Sequence, residues 1–112
     1  MTNVMIIDGH KAVISYDPDI EMFRGEFIGL NGGADFYAAD IKGLRREGKM
    51  SLKIYLDECA LNGIDPHRKF SGKFLLRTSQ RAHQAAVLAA TAEGVSLNEW
   101  VSSVVEQAVA AH

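Results

Sequence analysis

The chain contains little cysteine and proline and no long hydrophobic run. Its 112 residues include a single cysteine, Cys59, and two prolines. One cysteine excludes an internal disulfide and a metal site built from several thiolates. Because Cys59 lies in an apolar helical stripe, we expect it to be a small buried side chain. No apolar run approaches the ~20 residues that span a bilayer, and no basic segment precedes an apolar one at the N-terminus. We therefore expect a cytoplasmic protein without membrane contact.

Carboxylates are absent from residues 66–92, a stretch of 27 residues. Residues 1–65 carry 11 acidic and 7 basic side chains, whereas residues 66–112 carry 3 acidic and 5 basic ones. The five basic residues of the second part are Arg68, Lys69, Lys73, Arg77 and Arg81. The whole-chain pI near 6.0 does not by itself indicate nucleic acid, so the local charge is the evidence here. A stretch that has lost every acid predicts a surface that meets phosphate.

Alternating hydrophobicity predicts an antiparallel meander of three strands in the first forty residues. The strands are residues 12–16, 22–28 and 35–38, and a short apolar run at residues 4–7 ends at the turn-forming Asp8-Gly9. Asp40 is a candidate N-cap for a helix that ends at Asn62, before Gly63. Gly43 and Gly48 predict a bend or a close backbone contact in this helix. We expect residues 1–66 to form a β-β-β-α domain.

A strand and two helices are predicted for residues 71–112. Ser79 caps a helix that runs to Glu93, and Ser96 caps the last helix, where Glu99 completes a capping box. The strand, residues 73–78, would expose unpaired backbone groups on both edges if it stood alone. We expect it to pair with the same strand of a second copy, which makes a two-stranded ribbon that fits the major groove of DNA.

The predicted DNA contacts follow from the alternation along this strand. Lys73, Leu75 and Arg77 share one face, and Arg77 can bond a guanine edge in bidentate fashion. The backbone amides of residues 96–98 at the start of the last helix, with Ser96 and Asn98, are candidates for a phosphate clamp. Leucine at position 75 offers only apolar contact, for example to a thymine methyl.

A unit of about 40 residues is too small to bury its own apolar stripe. We therefore predict a homodimer or higher oligomer whose core contains Phe74, Leu76, Leu88, Trp100, Val101 and Val104. The alternative is that this unit packs on its own N-terminal domain. The ribbon hypothesis fails if residues 73–78 pair within their own meander, or if they stay irregular in a monomeric protein.

The order strand, helix, Gly-Val-Ser turn, helix is the ribbon-helix-helix pattern, and nearly the whole chain resembles the HicB family of antitoxins that carry such a tail. The matching segments are Tyr16-Asp17, Phe23-Arg24-Gly25, Tyr55-Leu56-Asp57-Glu58-Cys59, Phe70-Ser71-Gly72-Lys73-Phe74, Leu76-Arg77, His83 and Ser96-Leu97-Asn98-Glu99-Trp100-Val101. Position 75 departs from the family, which usually has a polar residue there.

The resemblance implies an α+β fold with a partial ribonuclease-H-like N-terminal domain. In such proteins this domain binds a small basic toxin, HicA, which cleaves messenger RNA, and the dimeric tail binds operator DNA and represses the operon encoding both proteins. The acidic balance of residues 1–65 suits a basic partner. No motif maps the toxin contacts. The alternative function is an orphan ribbon-helix-helix repressor without a toxin partner.

An enzyme is the other class of function to consider. A ribonuclease-H-like fold raises the question of metal-bound carboxylates, and the candidates are Asp8, Asp17, Asp40 and Asp57. Their positions in turns and at a helix cap favour structural roles. The histidines, His10, His67, His83 and His112, lack metal-ligand spacing. No nucleophile with a recognisable base is present, so we expect a non-enzymatic protein without a cofactor or metal.

Overall fold

Four antiparallel strands pair in chain order and are followed by three helices. The computed structural model describes residues 3–111. Its elements are β1 (Val4–Ile7), β2 (His10–Asp17), β3 (Met22–Phe27), β4 (Asp35–Ala38), α1 (Ile41–Asn62), α2 (Gln80–Glu93) and α3 (Leu97–Ala110). The strand order in the sheet is β1-β2-β3-β4, and the architecture is α+β. The chain divides into two compact units, Met1–Ser71 and Gly72–His112. None of the described helices combines the length and apolarity that a membrane span needs.

The sheet has one strand more than the sequence predicts. The apolar run Val4–Ile7 pairs with β2, and Ile7 lies opposite His10 across the two-residue turn Asp8-Gly9. Both turn residues have positive φ, 47° and 79°, as the hairpin turn favoured by the twist of the strands requires. The prediction of a three-stranded meander, and of a β-β-β-α unit, is therefore wrong in its strand count. A continuous apolar run lacks the alternation by which the other strands were recognised.

Helix α1 packs on one face of the sheet, and its two glycines, Gly43 and Gly48, permit the close approach. Gly48 lies so near β1 that a Cβ atom there would be 2.4 Å from Ile7 Cδ1. On β3, Gly25 lies beneath the ring of Phe36, its cross-strand neighbour. The core residues between helix and sheet are Ile7, Ala12, Phe27, Leu30, Ala34, Phe36, Ala38, Leu44 and Leu52. The close contact predicted for Gly43 and Gly48 is confirmed, because both are buried.

Both ends of α1 follow their local sequence. Asp40 accepts a hydrogen bond from the Gly43 amide at 2.6 Å. At the other end, Gly63 adopts the left-handed conformation, and the Ile64 amide donates to the Cys59 carbonyl at 2.9 Å. This backward bond satisfies a carbonyl that the helix itself leaves unpaired. Cys59 is buried, as predicted.

The segment after α1 is bound to the end of the sheet. His67 forms a β-bridge with Leu30, and the Arg68 amide donates to the Gly29 carbonyl at 2.8 Å. The Pro66 carbonyl accepts bonds from the Asn31 amide at 2.9 Å and from the Tyr55 hydroxyl at 3.1 Å. Residues 66–68 therefore belong structurally with the sheet and α1.

Helices α2 and α3 begin at the predicted serine caps. Ser79 Oγ accepts from the Ala82 amide and Ser96 Oγ from the Glu99 amide, both at 3.1 Å. Gly94 ends α2 in the left-handed conformation, and the Val95 amide folds back to the Ala90 carbonyl at 3.0 Å. These caps satisfy amides and carbonyls that have no partner inside the helix.

Residues 73–78 belong to no strand of the described chain. The sheet ends at β4, and the one isolated bridge among residues 3–111 joins Leu30 to His67. Pairing of this segment within its own meander is therefore excluded for residues 3–111. The predicted ribbon needs hydrogen bonds from a second copy, so it stays a prediction. The partial ribonuclease-H-like arrangement of the N-terminal unit also stays a prediction.

Candidate functional site

The C-terminal unit buries very little apolar surface by itself. Helix α2 buries only Ala90, and α3 buries no residue. Every member of the hydrophobic core lies in the N-terminal unit. Two helices that expose most of their apolar stripes lack the burial that stabilises a domain of this size.

The residues predicted for a dimer core are all accessible in the single chain. Phe74 is 75% exposed, Leu88 is 72% exposed, and Leu76 and Val104 are also exposed. Trp100 and Val101 are half-buried. Complete burial of an exposed leucine or phenylalanine side chain contributes about 1.5–3 kcal/mol. This apolar surface is therefore large enough to drive association if a second surface covers it.

The basic stretch that precedes α2 is exposed throughout. Lys73, Leu75 and Arg77, predicted to face DNA bases, are all accessible, and Leu75 is among the most exposed large apolar residues described. Arg81 follows in the first turn of α2 and is also exposed. Arg68 stacks on the Phe70 ring, with its guanidinium carbon 4.9 Å from the ring centre. The structure thus presents these cations to solvent.

The first turn of α3 offers backbone donors. Ser96 is the N-cap and satisfies the Glu99 amide, which leaves the amides of Leu97 and Asn98 without a partner inside the helix. Asn98 is exposed and Leu97 is half-buried. A helix N-terminus with free amides favours a phosphate oxygen, so the arrangement is compatible with the predicted clamp, in addition to its role as a cap.

The four candidate carboxylates have structural partners or lie in a turn. Asp17 Oδ1 accepts from the Asp19 amide at 3.0 Å, and Asp40 caps α1. Asp57 pairs with Lys53 at 2.8 Å, one helical turn away, and Asp8 occupies the β1–β2 turn. Among residues 3–111 no group of three or more histidine, cysteine, aspartate or glutamate side chains is arranged to hold a metal ion.

Two histidines that are 57 residues apart in the sequence meet in the structure. His10 Nε2 and His67 Nε2 are 3.0 Å apart, and the ring centres are 5.3 Å apart. His10 Nδ1 donates to the Asp8 carbonyl at 3.0 Å, so in the neutral pair His10 Nε2 accepts and His67 Nε2 donates. The sequence analysis missed this contact, because it depends on how residues 66–68 return to the sheet. His83 is exposed on α2, and His112 lies outside the described residues.

The comparison with known families matches the second half of the chain. The model of the HicB family matches residues 55–105, which are 51 of the 112 residues. The match begins in α1, passes through the basic segment and α2, and ends in α3. It supports membership of that family and is consistent with an antitoxin role. No curated protein and no solved structure shows significant similarity to the chain.

Proposed function

We propose that this chain is a cytoplasmic antitoxin of the HicB family that acts by binding and not by catalysis. Its N-terminal unit, as a partial ribonuclease-H-like domain, would bind and cover a small, basic, messenger-RNA-cleaving toxin of the HicA kind. Its C-terminal unit would dimerise as a ribbon-helix-helix and repress the operon that encodes both proteins. The observation that carries this proposal is the family match over residues 55–105.

The dimer is supported by the state of the C-terminal unit. Exposed Phe74, Leu76 and Leu88 lie in a unit that buries almost nothing of its own. Large apolar side chains exposed together in one small unit favour an interaction site. Pairing of this segment between two copies would also let residues 73–78 form the strand that they do not form in the single chain.

Binding to DNA is supported by the distribution of charge. The basic residues of the segment before α2 are exposed and no acid interrupts residues 66–92. Arg77 forms no ion pair among the described residues. Its guanidinium is therefore available for a base edge or a phosphate.

The test is a mobility shift with the DNA upstream of the chain's own reading frame, at several salt concentrations. We predict that Arg77→Ala lowers affinity for this DNA about 5- to 150-fold per half-site, because a bidentate arginine contributes about 1–3 kcal/mol of discrimination. The matched control is Arg46→Ala, which removes the same charge from an exposed position on α1. If both variants shift the DNA like the wild type, the assignment of residues 73–77 to the groove is wrong.

A second candidate function is an orphan repressor without a toxin. It is favoured by one observation: the family match begins at residue 55 and leaves most of the N-terminal unit outside it. Co-expression with the neighbouring reading frame separates the two. Co-purification of a small basic protein at fixed stoichiometry supports the antitoxin, whereas DNA binding without such a partner supports the orphan repressor.

A further inference from the structure

Strand β4 has one side that faces no other strand of the described chain. The sheet order places it at an edge, paired only with β3. Ala12 of β2 lies opposite Phe27 of β3, so the next pair in this register is Lys11 with Ile28. The Ile28 amide donates to the Lys11 carbonyl at 3.0 Å, so Lys11 and Ile28 form a hydrogen-bonded pair. Since hydrogen-bonded and non-hydrogen-bonded pairs alternate in an antiparallel ladder, the backbone groups of Arg24 and Glu26 point to β2.

The same alternation sets the direction of the backbone groups on β4. Arg24 lies opposite Tyr37 and Glu26 opposite Asp35, and both are non-hydrogen-bonded pairs. The amide and carbonyl of Tyr37 and the amide of Asp35 therefore point to the free edge. The Asp35 carbonyl points the same way and accepts a bond from Ser51 Oγ at 3.3 Å, which agrees with this assignment. An edge with free backbone groups is a template for an added strand.

A groove runs along this edge, between β4 and one side of α1. Its volume is about 540 Å³, and α1 contributes residues at positions 47, 50, 51, 54, 55 and 58, which form one stripe by helical spacing. Met50 and Ile54 lie in the middle of the stripe and are exposed. Burial raises the pKa of Tyr55 above its usual value, with a smaller contribution from the neighbouring Cys59 thiol. Tyr55 therefore lines the groove as a neutral phenol.

The groove is lined by acids and by no base. Asp35, Glu47 and Glu58 are among its lining residues, whereas none of those residues is lysine, arginine or histidine. Asp35 forms a salt bridge with Arg24, and Glu47 Oε1 lies 3.5 Å from Arg46 Nε. Glu58 forms no ion pair among the described residues. Exposed pairs such as Arg46 with Glu47 are weak, so the groove keeps an acidic character.

We propose that an extended segment of the basic toxin adds to β4 as a further strand and lays apolar side chains on Met50 and Ile54. The backbone groups of Tyr37 supply the hydrogen bonds, and basic side chains of the segment meet Glu47 and Glu58 at the two ends of the α1 stripe. The identity of the partner rests on the proposed function, whereas the location rests on the free edge and the acidic groove. A second copy docked through its own groove is a poorer occupant, because it would bring the same three acids against these ones.

The experiment measures binding of the full chain to the purified small basic protein encoded by the adjacent reading frame, by calorimetry. Ile54, 59% exposed, is replaced by lysine, which places a positive charge in the middle of the groove. The matched control is Leu61→Lys, the same kind of change at an 85% exposed position on the same helix, outside the groove. Circular dichroism establishes that both variants fold. We expect at least a tenfold loss of affinity for Ile54→Lys and less than a twofold change for Leu61→Lys.

Hydrogen exchange of the Tyr37 amide gives a readout specific to strand addition. Added pairing should slow its exchange at least tenfold in the complex, and an interface elsewhere would leave it unchanged. If the wild-type chain does not bind the basic protein at all, the proposed function fails and this inference fails with it. If the wild type binds and Ile54→Lys binds equally well, only the location is wrong. A change in self-association of Ile54→Lys, with toxin binding intact, would assign the groove to contacts between copies and overturn the proposal.

Discussion

Leu88 distinguishes a solitary C-terminal unit from a dimeric one, because its environment differs so much between the two. In the single chain its side chain is 72% exposed on α2. Substitution by alanine at such a position changes the free energy of unfolding by less than about 0.5 kcal/mol. If a second copy buries Leu88, the same substitution removes a core leucine, which costs about 2–5 kcal/mol per copy. The dimer carries the substitution twice, so the two architectures predict effects that differ by an order of magnitude.

Tryptophan fluorescence follows the relevant unit selectively, since Trp100 on α3 is the only tryptophan. Urea unfolding of the full chain is measured at two protein concentrations, with sedimentation to establish the mass. For the dimer we expect the wild-type midpoint to rise with concentration, and Leu88→Ala to lower it strongly. The control is Leu61→Ala, which truncates an 85% exposed leucine on α1. It should leave the urea midpoint of the Trp100 fluorescence transition unchanged.

The dimer would be refuted by a particular combination of results. A wild-type chain that sediments as a monomer at tens of micromolar, with a Leu88→Ala midpoint within error of the Leu61→Ala midpoint, would mean that nothing covers the apolar stripe. Residues 73–78 would then be irregular in a solitary molecule, and the ribbon hypothesis would fail with the dimer.

Two further predictions concern positions where the structure gives the contact directly. Gly25→Ala would place a Cβ atom 2.1 Å from the nearest ring atom of Phe36; we expect a net loss of roughly 1–2 kcal/mol in thermal unfolding, because overpacking costs about 1–3 kcal/mol and alanine regains about 0.5–1 kcal/mol of backbone entropy. Gly33→Ala, with nothing within 4 Å, is the control, and equal stability of the two variants would contradict the packing described. Ser96→Ala removes the α3 cap and should lower the free energy of unfolding, followed by Trp100 fluorescence, by about 1 kcal/mol. Ser96→Thr should keep most of that stability, and equal stability of the two variants would show that the cap is dispensable.

Helix boundaries were accessible from the sequence because capping is local. Ser79 and Ser96 each bond an amide three residues on, and Gly63 and Gly94 take a conformation that other residues rarely adopt. All the atoms involved lie within a few residues of one another, so residue type and position suffice to predict them. The same holds for Asp40 at the start of α1.

The sequence contains a signal for strand β1, although the predicted meander did not include it. Asp8-Gly9 between two apolar segments is a strong hairpin signal, and the run Val4–Ile7 is too uniform to show the alternation of a half-buried strand. Its pairing with β2 makes it an edge strand, with Ile7 buried and Ile6 exposed. Hydrophobicity alone does not reveal that difference in a run where every residue is apolar.

The sequence by itself determined where the helices begin and end, which residues are apolar along each of them, and where charge of one sign is concentrated, because all of these depend on near neighbours and composition. The tertiary structure alone decided that β4 lies at an edge of the sheet, that residues 66–68 bond to residues 29–31 after β3, and that His10 meets His67. These features join atoms far apart in the chain, so they follow from the register of the strands and the path of the backbone, which no local pattern of residues encodes.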